Sequence, residues 1–389
     1  MSTHRSGRHF LQIPGPTNVP DRILRAIARP TIDHRGGEFA ALGKEVLSGL
    51  QRVFKNSGPV IIYPSSATGA WEAALANTLS PGDRVVLFEI GEFARLWAEV
   101  GRRLGLDVQV VDSDWTGGVD PEAVERALAS DPEHRIKAVL VVHNETSTGA
   151  TSRLAEIRRA IDRAKHPALF LVDAVSSLAS IDLRQDEWGI DVVVAGSQKG
   201  LMLPPGLAFN SISAKALDAS EHATFPRSYW AWGPMLASNA QGFFTYTPST
   251  NLLYGLREAL QMLDEEGLDQ VFARHQRLAA AARAAVCGWD LSILCRREDE
   301  RSPVVTTVML PAGFDADAFR AIALERFDLS LGTGLGRLKG RAFRIGHLGD
   351  FNELMLMGTL SGVEMALGLA GVPIRRGGVL AAMDSLSGR

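Results

Sequence analysis

Two cysteines, Cys287 and Cys295, are all that 389 residues contain. That excludes a disulfide framework and a four-cysteine metal site, and it fits a reducing, cytoplasmic setting. Charge of neither sign dominates: 41 Lys+Arg stand against 44 Asp+Glu, and no long block of like charge occurs. Nothing therefore attracts a nucleic-acid backbone or an anionic membrane wholesale, and a small molecule is the expected partner. No apolar run approaches the ~20 residues that span a bilayer, and the opening MSTHRSGRHF has no apolar leader core. Internal repeats and low-complexity linkers are missing as well. What the chain has in quantity is apolar material, 46% hydrophobic against 22% charged, enough for a globular protein of about two domains.

Short β-rich runs alternate with amphipathic stretches. Strands are expected at 60–63, 84–89, 107–111, 138–142, 168–172 and 191–195, with helices at 69–78, 93–104, 121–129 and 155–164 between them. This βαβα order predicts an α/β domain with a mostly parallel central sheet and flanking helices. After Pro248 a proline-free helical tract covers 251–286, with a boundary expected near Leu260. The tail alternates strand-like runs, 304–310 and 341–346, with helical ones, 316–325 and 353–369, which suits a smaller C-terminal α+β domain.

The segment DVVVAGSQK brings Lys199 to the carboxyl end of a strand, where open α/β sheets bind ligands. A lysine there can bond an aldehyde, although on this segment alone a solvated loop lysine is the commoner reading. The preceding strand ends FLVDAVSS, so Asp173 closes an apolar run with a carboxylate that needs a partner. The two would share one rim of the sheet, as they must if Asp173 holds a ring nitrogen protonated while Lys199 bonds the aldehyde of the same cofactor. Asp173 also fits a helix N-cap.

YPSSATGAWE follows a strand and opens a helix, so Ser66, Ala67 and Thr68 can offer N–H groups and a favourable dipole to a phosphate. They fit a plain helix cap too, and no nucleotide P-loop is present. Phe93 in GEF can stack on a planar ring, and the Thr146 hydroxyl in HNETSTG can reach a phenolic oxygen; a core phenylalanine and a polar turn are the alternatives. His143 with Glu145 lacks a third ligand, which argues against a metal.

Taken together, PGPTNVP at 14–20, DHR at 33–35, SSATGAWEAAL at 65–75, HNETSTG, VDAVSS, GSQKGLMLPPG at 196–206, YTP at 246–248 and FRIGHLGD at 343–350 resemble the class V aminotransferases. Within them the likeness is nearest to the serine–glyoxylate and alanine–glyoxylate enzymes. The resemblance covers nearly the whole chain in order. It implies a fold-type I pyridoxal 5'-phosphate enzyme, divided into an N-terminal arm at the active site (1–20), a large cofactor-binding domain (21–260) and a small domain (261–389). It also implies a homodimer with two shared sites.

Carried over by motif, Lys199 is the lysine bonded to the cofactor and Asp173 the partner of its ring nitrogen. Phe93 stacks on the ring, while Ser66, Ala67, Thr68 and Gln198 hold the phosphate. Thr146 meets the phenolic oxygen, and Thr247, with Tyr246, reaches the neighbouring subunit's cofactor. Arg344 clamps the substrate carboxylate, and Gly15 contacts substrate. Two departures stand out. Relatives usually have glycine at Ala67, so this turn must tolerate a Cβ, and Phe244 falls near a tyrosine that some relatives reach across the dimer, with Tyr246 as its replacement.

The resemblance implies transfer of an amino group from a small L-amino acid, serine favoured over alanine or aspartate, to glyoxylate. A diacid donor would want a second cation from Arg35, Arg227, Arg337 or Arg341, and Trp230 and Trp232 could line the site or pack elsewhere. Other reactions on the same fold are a lyase or a desulfurase, the latter needing a mobile cysteine. A nicotinamide enzyme is suggested by Gly332, Gly334 and Gly336, although their spacing is not G-x-G-x-x-G. A non-catalytic pyridoxal-binding protein would not need Lys199.

Overall fold

In the computed structural model, which describes residues 6–388, a seven-stranded sheet forms the centre of the larger part of the chain. From edge to edge it runs Val60–Tyr63, Ala208–Ile212, Val192–Gly196, Leu169–Asp173, Ile136–Val142, Arg84–Glu89 and Asp107–Asp112. The five strands from Val192–Gly196 to Asp107–Asp112 are mutually parallel, and Ala208–Ile212 is antiparallel to both of its neighbours. These strands are near-continuous Val, Ile, Leu and Ala because both faces are covered. Successive side chains alternate between two cores. Val139, Val141, Phe170, Val172, Val193 and Ala195 face one, whereas Ala138, Leu140, Leu169, Leu171, Val192 and Val194 face the other.

Each expected strand of this sheet is present, within a residue or two at its ends. The expected helices are also found, as Ala67–Thr78, Glu92–Arg103, Pro121–Ala129 and Leu154–Arg163. The single long tract at 251–286 is instead two helices, Thr250–Glu266 and Leu268–Gly288, broken at Gly267 with φ +83°. Leu260, Leu263 and Val271 still belong to the core under the large sheet, while Leu278 and residues beyond join a separate core. That second core lies against a five-stranded sheet ordered Phe10–Gln12, Leu329–Thr333, Ala342–Gly346, Val305–Met309, Ser292–Ile293. Its first strand comes from the amino end of the chain and runs parallel to Leu329–Leu331. The chain then passes back to the large sheet, where the Thr17 N–H donates to the carbonyl of Gln198.

Among the described residues no helix is long and apolar enough to cross a membrane, and no group of three or more His, Cys, Asp or Glu could hold a metal ion.

Candidate active site

The carboxyl ends of Leu169–Asp173, Val192–Gly196 and Ile136–Val142, with the start of helix Ala67–Thr78, open onto a cavity of about 260 Å³. Gly15, Ser66, Ala67, Thr68, Phe93, Thr146, Asp173, Gln198 and Lys199 all line it, with Trp71, Asn144, Val175 and Ser176. Nine of the residues singled out in the sequence thus meet in one place.

Asp173 is the last residue of its strand and is almost fully buried. One carboxylate oxygen accepts from the Val175 N–H at 2.7 Å and the other from the Trp71 indole N–H at 3.0 Å. Burial pushes the carboxyl up to about 7, with the charge of Glu145 adding to the rise and those two N–H groups and the Lys199 charge opposing it. Its own-chain partners are neutral N–H donors, so a cationic N–H in the cavity is the partner that would hold it ionised.

Lys199 is also buried, and its Nζ donates to the carbonyl of Pro14. Burial and the charge of Arg344 push the amine down to about 8, with Asp173 opposing. Arg344, in strand Ala342–Gly346, is buried, which lowers its guanidinium to about 10. Its Nε donates to the Thr333 carbonyl at 2.8 Å and Nη1 to the Thr146 carbonyl at 2.9 Å. Among the described residues Nη2 meets no acceptor.

The helix that starts at Ala67, whose first residues also line the cavity, has no side-chain cap, so its first N–H groups remain available to an anion. Ala67 keeps a negative φ, which is why this turn accommodates its Cβ. Gln198 lines the same cavity; its Oε1, buried without a partner among the described residues, can only accept, so its amide N–H is the group that would donate to a phosphate. Thr146 donates its hydroxyl to Ser176 Oγ at 2.8 Å, and Asn144 donates its side-chain amide to the same oxygen at 2.8 Å. These features fit the implied pyridoxal 5'-phosphate. One cavity is lined by an anion site at a helix start, a buried carboxylate wanting a cationic N–H, a lysine and an aromatic.

Tyr246 and Thr247 do not line the cavity; both are exposed, and Tyr246 stacks on Tyr229 with ring centroids 4.8 Å apart. Phe244 packs edge-on against Phe39 within the chain. Trp232 is buried and donates to the Tyr63 hydroxyl at 2.9 Å, and Trp230 donates to Glu72 at 3.1 Å, so both serve packing in this chain. Of the possible second cations, Arg227 donates to four backbone carbonyls and Arg337 pairs with Glu89, while Arg35 and Arg341 are exposed. None of the four lines the cavity.

Cys287 is exposed at a helix end, and Cys295 is buried, its thiol pushed up to about 11 by that burial. Neither lines the cavity. The glycines at 332–336 fall in strand Leu329–Thr333 and the turn after it, not at the head of a long helix.

Sequence reasoning missed Trp71, which sits four residues into a helix whose register decides that it faces Asp173. It also missed Asn144 and Ser176, whose mutual bond spans two loops. In the sequence Glu145 stands out only beside His143, as a metal ligand would. Its buried carboxylate instead accepts from the N–H groups of Phe93, Ala94 and Ser147.

The Aminotransferase class-V family model matches residues 10–333. The serine–glyoxylate aminotransferase of Methylorubrum extorquens is 46% identical over 390 residues, covering 99% of this chain and 97% of that protein. The L-aspartate–glyoxylate aminotransferase of Paracoccus denitrificans is 44% identical over 374 residues, covering 96% and 94%. Among solved structures, the ureidoglycine–glyoxylate aminotransferase of Bacillus subtilis superposes with a TM-score of 0.91 at 28% identity, covering 99% of this chain and 100% of that one.

Proposed function

Because the chain belongs to the class V aminotransferases, we propose that it moves the amino group of a small L-amino acid, serine first, to glyoxylate with pyridoxal 5'-phosphate as cofactor. Glycine and a 2-oxo acid are the products. The observation that carries this reading is a buried lysine, a buried carboxylate and an uncapped helix start lining one cavity. Full-length similarity to serine–glyoxylate enzymes supports the donor and the acceptor.

When bound, the cofactor supplies a ring that takes up the electron pair left on the amino acid when its α-proton departs. The chain does the rest. Ser66, Ala67 and Thr68 at the helix start, with Gln198, hold the phosphate. Asp173 would hold the protonated ring nitrogen, its carboxylate fixed in place by the Trp71 and Val175 N–H groups. Phe93 would stack on the ring, and Thr146, with Ser176, would meet the phenolic oxygen. Arg344 presents Nη2, the guanidinium nitrogen left over from its two backbone bonds, to the substrate carboxylate, which orients the α-hydrogen.

Lys199 moves the proton. Its depressed basicity leaves part of the amine neutral near pH 7 and able to take the α-hydrogen, and the Pro14 carbonyl accepts a hydrogen bond from the amine. The same reading takes the protein as a cytoplasmic homodimer. The exposure of Tyr246 and Thr247 away from their own chain's cavity supports a role for them at the partner's site.

A donor panel of serine, alanine and aspartate against glyoxylate and pyruvate tests the proposal, with serine–glyoxylate expected to give the largest kcat/KM. A larger value for aspartate would transfer the assignment to that donor. Absence of a borohydride-stable adduct on Lys199 in protein loaded with pyridoxal 5'-phosphate would overturn the cofactor assignment itself.

A further inference from the structure

The helix Glu92–Arg103 carries Phe93 in its first turn, yet it does not cap itself. Its N-cap is Gly91, and no side chain of its own satisfies the first N–H groups. A carboxylate and a hydroxyl from the HNETSTG loop do so instead. Glu145 Oε2 accepts from the Ala94 N–H at 3.1 Å and Oε1 from the Phe93 N–H at 3.4 Å. Ser147 Oγ accepts from the Glu92 N–H at 2.9 Å and donates to Glu145 Oε1 at 2.7 Å. The Ser147 N–H adds a further bond to the same carboxylate at 3.0 Å.

Glu145 is completely buried, so this cap is not exchanged with water. A Cβ at Gly91 would overlap the Glu145 carboxyl, which accounts for glycine at the N-cap: the acid occupies the space a capping side chain would need. The next residue of the loop, Thr146, gives its carbonyl to Arg344 Nη1 and its hydroxyl to Ser176.

We propose that Glu145 is a positioning residue: its buried carboxylate sets the start of the helix that presents Phe93, and the same loop sets the guanidinium of Arg344. The ring-covering face and the carboxylate clamp, which lie on different domains of the chain, thereby take their relative placement from a single acid. Burial pushes the Glu145 carboxyl up, opposed by its bonds from Ser147, Ala94 and Phe93, and in its ionised form it favours the protonated form of Arg344. Loss of the acid removes two supports at once, the anchored helix start and a compensating charge for a buried cation.

The inference rests on the reading of the cavity as a pyridoxal-phosphate site, and the experiment separates the two. Apoprotein is titrated with pyridoxal 5'-phosphate, following absorbance, for the wild type, Glu145→Gln, Phe93→Ala and the double variant. KM for serine and for glyoxylate is measured alongside. Glu145→Gln is expected to raise the cofactor Kd and both KM values about tenfold, the scale of a lost charge-assisted hydrogen bond. In the Phe93→Ala background the effect on Kd should shrink to about twofold, because the acid acts through the residue already removed. A fall in Tm with Kd and KM unchanged, or a full tenfold effect on Kd that persists without Phe93, would overturn the proposal.

Should Glu145→Gln fail to fold, Ser147→Ala carries the same test. It is expected to give a smaller shift of Kd and KM in the same direction, and no shift overturns the idea. A wild-type protein that does not bind pyridoxal 5'-phosphate would sink the functional reading instead, a result distinct from any of these.

Discussion

Lys199 shows how far one side chain's surroundings decide its chemistry. Only a neutral amine attacks an aldehyde, so covalent attachment of pyridoxal 5'-phosphate to apoprotein should quicken with rising pH through a midpoint of about 8. Arg344→Ala removes a cation that disfavours the protonated amine, so the midpoint should move upward. Stopped-flow absorbance across pH 6–10 measures both, and a wild-type midpoint near the ~10.4 of an ordinary lysine would contradict the burial argument.

In steady state, Lys199→Ala should lower turnover about a thousandfold. Arg344→Ala should raise KM for both carboxylate substrates about tenfold to a hundredfold, with a smaller change in kcat. For Trp71→Phe, which removes one of the two bonds to Asp173, weaker cofactor binding with little change in Tm is expected, and equilibrium titration reads it directly. Asp173 could be singled out in the sequence because it closes an apolar run at a strand end, and Lys199 because it stands in the polar turn just after the next strand. Trp71 could not, because an aromatic inside Ala67–Thr78 looks like core until the rotation of that helix is known.

At the scale of elements, the periodic segments were legible where local pattern and burial agree. The strands of the large sheet read as apolar runs because both faces are covered. Other elements depend on distant partners. Ala208–Ile212 inserts antiparallel between Val60–Tyr63 and Val192–Gly196, a placement that no local signal encodes. The break at Gly267 was hidden because a lone glycine in a helical pattern can be tolerated. Nothing would crowd a Cβ there, so Gly267→Ala isolates the conformational cost. Thermal unfolding should report a loss of about 1–2 kcal/mol, and an unchanged Tm would show that the two helices can fuse.

For the whole molecule, acid sensitivity follows from buried imidazoles. Burial holds His143 and His275 down at about 4 and His347 at about 3. Their folded values lie below the unfolded value of ~6.5, so the unfolded chain binds more protons, and stability is retained above about pH 6.5 and lost as pH falls toward 4. Each histidine should remove about 1.4 kcal/mol per pH unit inside that window. Asp173, raised to about 7, binds its proton in the folded state over the same window and offsets about one histidine's share; Tm measured from pH 7.5 to 5 should still fall, and His275→Asn should flatten the slope. An unaltered slope would mean that His275 does not carry its share.

The parallel pairing of Phe10–Gln12 with Leu329–Leu331 has a consequence for how the protein is made. The ribosome releases residues 10–12 more than three hundred residues before their neighbours. The carbonyl of Pro14 that receives the Lys199 amine sits just beyond that early strand. The pocket therefore acquires its final wall only after residue 331 has been made, and a nascent chain truncated before residue 329 should hold a folded central sheet with no working site.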